Sequence, residues 1–149
     1  MAIEFFAEDI DFPNYKEDYL NKFIESLIAS KKRQVGEISY IFCSDDYLLK
    51  INIDYLQHDY YTDIITFDYV EGDVISGDVF MSIDRVVDNA DILKVDFESE
   101  FARVLSHGIL HLLGFKDKTD EEAAIMRSEE EKAISLFEKV KGEYNASLN

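Results

Sequence analysis

The sequence predicts an α/β (α+β) fold: a small mixed four-stranded sheet packed with about five helices in one domain spanning residues 1–149. Three observations lead there. Short β-branched and aromatic runs alternate with segments whose apolar residues recur at helical spacing. No Gly-, Ser- or Pro-rich linker, internal repeat or low-complexity segment divides the 149 residues. The composition is 47% apolar with 11 Phe and 9 Tyr, which supplies enough surface for one core despite a net charge of −17.

Taken in order, Ile3 to Phe6 reads as a short first strand. From Tyr15 to about Lys32, Tyr19, Leu20, Phe23, Ile24, Leu27 and Ile28 fall on one helical face, and Lys31, Lys32 and Arg33 suit the negative end of the helix dipole. Glu37 to Cys43 reads as a strand. Ser44-Asp45-Asp46 is N-cap chemistry for a helix through Leu48, Leu49, Ile51 and Ile53, with a loop expected from Asp54 to Asp63. Ile64 to Tyr69 is β-branched and aromatic, Glu71-Gly72-Asp73 is a turn, and Val74 to Ser82 is its expected antiparallel partner. Helices follow over Ile83 to Leu93, Phe97 to Leu113 and Asp120 to Val140, the last opened by a capping-box pattern of Thr119 and Glu122.

The charge narrows the function. A pI of about 4.4 argues against generic electrostatic binding to nucleic acid or an anionic membrane. Residues 41–100 hold 15 acidic against 3 basic residues, whereas 101–118 hold 3 basic against 1 acidic and are the one net-positive window. One cysteine, Cys43, excludes an internal disulfide and reads as a small buried apolar group. The acidic start, without a basic n-region or long apolar run, predicts no signal peptide, and no stretch approaches the roughly 18 apolar residues of a membrane span, so a soluble cytoplasmic protein is expected.

The positive window contains His107-Gly-Ile-Leu-His111-Leu-Leu-Gly114-Phe-Lys-Asp117. Residues i and i+4 share a helix face, so both imidazoles can address one ion. Gly114 permits the left-handed turn that folds the chain back and brings Asp117 to it. Two imidazoles and a carboxylate with an open fourth position is a catalytic zinc pattern. A partly buried, metal-free histidine pair is the plainer alternative. The zinc-peptidase pattern HExxH is not met, because Gly108 stands where the general base would be, at a cost of roughly 1 kcal/mol against Ala in mid-helix. The missing side chain suggests close approach of a bulky substrate to the metal.

This segment resembles the HGxLHLxGYDH signature of the YbeY family of ribosomal-RNA maturation factors. Upstream, Asn52-Ile-Asp-Tyr55-Leu-Gln-His58-Asp59-Tyr-Tyr-Thr62-Asp63-Ile-Ile-Thr66-Phe67 is similar to the family's N-x-x-Y-R-x-K-D-x-P-T-D-V-L-S-F, Gly77-Asp78-Val to its GDI strand, and Met126 to Glu130 to its M-x-x-x-E. The resemblance runs in order from about residue 50 to 130. It implies a metal-dependent single-strand endoribonuclease acting in maturation of small-subunit (16S) rRNA and in ribosome quality control. It also implies one Zn2+ on three protein ligands, a compact α/β fold, a cytoplasmic location, and the small ribosomal subunit or its basic proteins as partners.

Four departures bear on mechanism. Asp117 matches the family's third histidine; as a harder, charged ligand it leaves room for another divalent metal and makes a bound water less acidic. Lys116 stands where the family has Asp. Leu56 matches the family's arginine. His58, at a lysine position, is a candidate for proton or charge supply to phosphate, or else an exposed loop histidine beside Asp59. Asp63 is a candidate for orienting a ligand histidine or activating water, or for capping backbone groups where the strand begins. Arg103, one turn before His107, is the candidate phosphate-binding group, or else the partner of Glu100. Lys116 and Lys118 flank the third ligand, and Glu129-Glu130-Glu131 reads as a solvated helix face.

Three functions compete: the endoribonuclease; a non-catalytic ribosome-assembly factor with a structural metal, favoured by the acidic surface; and a metal-dependent hydrolase of small molecules, which Leu56 makes less remote.

Overall fold

In the computed structural model, which describes residues 2–57 and 62–148, four strands and five helices share one core. The elements are β1 (Ala2–Ala7), α1 (Glu17–Ser30), β2 (Gln34–Cys43), α2 (Asp45–Leu56), β3 (Ile64–Asp68), β4 (Val74–Ser82), α3 (Ile83–Leu93), α4 (Phe97–Leu112) and α5 (Asp120–Ser147). The sheet order is β1-β2-β4-β3, with β1, β2 and β4 parallel and β3 antiparallel to β4. The mixed sheet and the hairpin of β3 and β4 follow the expectation. β2 begins three residues earlier than expected, and α5 runs seven residues further. That extension is held by Tyr144, whose ring meets Tyr19 edge-on at 5.3 Å.

Strand alternation sends Ile3, Phe5, Ile38, Tyr40, Phe42, Ile75, Val79 and Met81 to one face of the sheet, where α1, α4 and α5 bury them. Phe101 of α4 is fully buried there and stacks on Tyr15 at 4.3 Å. The Tyr40 hydroxyl donates to the Leu105 carbonyl, tying α4 to the sheet centre. The other face carries a smaller cluster, Cys43, Leu48 and Ile65, under α2. Cys43 is buried, with its thiol against the Met81 carbonyl, as its sequence context predicts.

Helix starts follow the capping residues. Ser44, Ser82 and Asp96 accept from the backbone N–H three residues on, and Thr119 with Glu122 closes a full capping box.

Gly108 corrects one expectation. Its α-carbon faces the sheet, not the cleft: a Cβ there would meet Ile64 Cδ1 and Val79 Cγ1 at 2.8 Å. The glycine lets α4 lie close on β3 and β4.

Candidate metal centre

The centre is built from the last turns of α4 and the loop after it. His107 and His111 lie one turn apart on α4, with ring centroids 4.4 Å apart and planes near perpendicular. Leu113 ends the helix and Gly114 takes φ +101°, a left-handed conformation that a side chain would strain. The Gly114 N–H donates to the His111 carbonyl and the Phe115 N–H to the Leu110 carbonyl, both at 3.0 Å, the paired bonds of a Schellman turn. That reversal delivers Asp117: its Oδ2 lies 3.3 Å from His107 Nε2 and 3.5 Å from His111 Nε2.

Both imidazoles are anchored from behind. His111 Nδ1 is 3.1 Å from the Phe115 carbonyl, so the turn that ends the helix also aims the ligand. His107 Nδ1 is 2.5 Å from Glu130 Oε2 of α5. Each ring thereby turns Nε2 to the same point. The donors of His107, His111 and Asp117 lie within 4.8 Å of one another, two imidazole nitrogens and a carboxylate oxygen, which is a set a divalent metal fits.

The triad forms the floor of an open cleft of about 570 Å³, walled by Asn52 and Leu56 of α2, by Thr62 and Asp63, and by Lys118. Leu56 thus borders the cleft at the position of the family's arginine. A larger hollow lies between β1 and α1, but no His/Asp cluster lies there among the described residues.

The remaining candidates divide. Asp63 sits on the cleft wall, where burial raises its pKa against the opposing pull of Arg103 and His107. Its carboxylate takes the Asn89 side-chain amide at 3.3 Å and lies 3.8 Å from an Arg103 nitrogen, while His107 takes Glu130 as its hydrogen-bond partner. Arg103 shares the His107 face, but both its Nε and Nη2 are held by the Glu100 carboxylate, and Nη1 is 3.6 Å from Glu130. That hydrogen bonding to Glu100 raises the guanidinium pKa further and keeps it charged. Lys116 is exposed and Lys118 borders the cleft. His58 and Asp59 lie outside the described residues.

Glu130 ends the stretch that matches the family's M-x-x-x-E, but its place behind His107 is what sequence reasoning missed. The run of three glutamates reads locally as a solvated face, yet Glu130 is 5% exposed and Glu129 pairs with Lys31 at 2.7 Å. A signal was present: Glu130 occupies a position in the stripe Met126, Glu130, Ala133, Phe137, all buried on α5.

Comparison with known proteins gives the family. A family model described as Endoribonuclease YbeY matches residues 3–138. The chain belongs to the YbeY endoribonuclease family. Curated relatives bearing that name include one from Flavobacterium johnsoniae, 49% identical over 132 residues, covering 89% of this chain and 95% of the relative. Another, from Christiangramia forsetii, is 50% identical over 135 residues, covering 91% and 94%. A Thermotoga maritima protein solved in solution shares the fold at TM-score 0.69 and 26% identity, covering 98% of this chain and 93% of its own. Membership makes this an RNA-cleaving hydrolase of a metal-dependent family. No helix among the described residues is long and apolar enough to cross a membrane.

Proposed function

We propose that this YbeY-family protein is a zinc-dependent endoribonuclease that cuts single-stranded RNA in the maturation of 16S rRNA. The observation that carries the reading is the convergence of His107 Nε2, His111 Nε2 and Asp117 Oδ2 at the floor of an open cleft.

His107, His111 and Asp117 would hold the ion. When bound, zinc supplies Lewis-acid polarisation of a phosphoryl oxygen and acidifies water at neutral pH; Asp117 in place of a third imidazole keeps another divalent metal in play. The rest falls to the chain's own side chains. Asp63, with its pKa raised by burial, holds or moves a proton at the cleft wall. Lys118 brings positive charge to the rim, where Leu56 cannot. His58 is the further candidate for that charge. Arg103, surrounded by Glu100, Glu130 and Asp63, serves as the counter-charge of buried carboxylates and not as a free phosphate clamp.

The charge of −17 supports delivery of RNA by a basic protein of the small ribosomal subunit in the cytoplasm, since free RNA meets a repulsive surface. The same acidity favours a second reading, an assembly factor whose metal only fixes the Gly114 turn. One experiment separates them: a labelled single strand, and the same sequence as a duplex, are incubated with protein with and without a chelator. Chelator-sensitive cutting confined to the single strand is expected. A metal-replete protein that cuts neither substrate, yet binds a basic ribosomal protein, supports the assembly factor instead.

A further inference from the structure

Behind the cleft, a file of charged side chains runs through the interface of α4 and α5. Glu100 and Glu130 are 2% and 5% exposed, in positions that otherwise hold apolar residues. A buried carboxylate costs several kcal/mol of desolvation unless it is paired and hydrogen-bonded. Both are served by one cation. Arg103 is bidentate to Glu100 and lies 3.6 Å from Glu130 Oε1. The other oxygen of Glu130, Oε2, is left for His107 Nδ1 at 2.5 Å.

We propose that Glu130 is the positioning residue of His107: it accepts the Nδ1–H, leaves Nε2 as the nitrogen that would bind the ion, and is itself held in place by Arg103 and Glu100. His111 reaches the same orientation by a different route, since its Nδ1 faces the backbone carbonyl of Phe115, which can only accept. Two unlike anchors, one backbone and one charged side chain, therefore impose one tautomer on both rings. The side-chain anchor is the stronger, being charge-assisted, and it couples the centre to the packing of α4 on α5. Leucine at 130 would complete the stripe of Met126, Ala133 and Phe137 without desolvating any charge, so apolar packing does not account for the acid there.

The consequence for metal affinity rests on the metal-centre reading above; the tautomer does not. Long-range 1H–15N NMR of the metal-free Asp117→Ala protein, which lacks the carboxylate that would itself accept from Nε2–H, reads both rings directly. In that background both histidines should be Nδ1–H, with the His107 Nδ1 proton further downfield than that of His111; variants at 130 are read for tautomer there and for zinc Kd with Asp117 intact. Glu130→Gln retains an accepting oxygen and should preserve the tautomer, with zinc Kd, by competition with a chromophoric chelator, weakened less than about tenfold. Glu130→Leu should populate the Nε2–H form of His107 alone and weaken zinc binding by about 10–100-fold, the usual loss for such partners. A purely structural glutamate would lower the melting temperature of Glu130→Leu while leaving the His107 tautomer and zinc Kd unchanged, which overturns the proposal. So does His107 found as Nε2–H in Asp117→Ala with Glu130 intact, a result that needs no variant at 130. Those tautomers in Asp117→Ala, alongside a wild type that binds no zinc, would sink the metal-centre reading and leave the positioning by Glu130 intact.

Discussion

The two faces of the sheet are built unequally. One carries the large core under α1, α4 and α5, from Ile3 to Val140; the other carries only Cys43, Leu48 and Ile65 under α2, with Tyr47, Ile51, Phe67 and Phe80 half-buried around them. The cleft lies where the two meet, at the edge strand β3. Its histidines come from the heavily packed side, on a helix pinned by the Tyr40 hydroxyl and backed by Glu130, while Asn52 and Leu56 on its wall come from the lightly packed side. Groups that must hold one geometry stand on the rigid face. On the proposed reading, the wall that would admit RNA stands on the softer one.

The comparison breaks most severely at the metal. His111→Ala removes a ligand outright, so RNA cleavage should fall by more than the ~100-fold upper range for losing a supporting partner, with an unchanged circular dichroism spectrum. Next come paired core truncations. Phe101→Ala should cost about 3–5 kcal/mol and Leu48→Ala about 2–3 kcal/mol in urea melts, because the small cluster under α2 relaxes more readily than the aromatic core. Leu48→Ala should raise KM for RNA with zinc affinity unmoved; loss of zinc binding there would show that the two faces are not separable.

Gly108→Ala is smaller. Helix propensity favours alanine by about 1 kcal/mol, but the added methyl meets Ile64 and Val79 at 2.8 Å, an overpacking cost of about 1–3 kcal/mol. Net destabilisation of about 1 kcal/mol is expected, and a stabilised variant would show that α4 does not need its close approach to β3 and β4.

The smallest effect is a pH dependence at Asp63. Burial raises its folded pKa, so the stability it contributes is present below the unfolded value and is lost as pH rises through the folded one. Asp63→Asn should therefore melt above the wild type at neutral pH, with the gap closing on acidification towards about pH 4. A gap that widens on acidification would mean that the pairing with Arg103 outweighs burial.

Much of this was legible in the sequence because it is local. The His107–His111 spacing, the reversal at Gly114 and the capping box at Thr119 each depend on residues within one or two turns. What depends on distant packing was not. The order β1-β2-β4-β3 is set by which strands pair across the fold. Gly108 was misread because its neighbour His107 faces the cleft, yet one residue along a helix turns about 100° and points at the sheet. Glu130 stands among three consecutive glutamates; the helical period and the M-x-x-x-E pattern single out the middle one, but its contact with His107 depends on how α5 packs on α4. Arg103 shares the His107 face as its spacing implies, but its partners Glu130 and Asp63 come from 27 residues after it and 40 before it.

The proposed chemistry stands on His107, His111 and Asp117 holding one metal ion on which RNA cleavage depends. Metal-stripped protein titrated with zinc, with single-strand cleavage followed at each addition, tests it most directly. Negligible cutting by the stripped protein is expected, with activity that rises to a plateau at one zinc per chain. Full activity in the stripped protein, unaffected by added zinc, would contradict it.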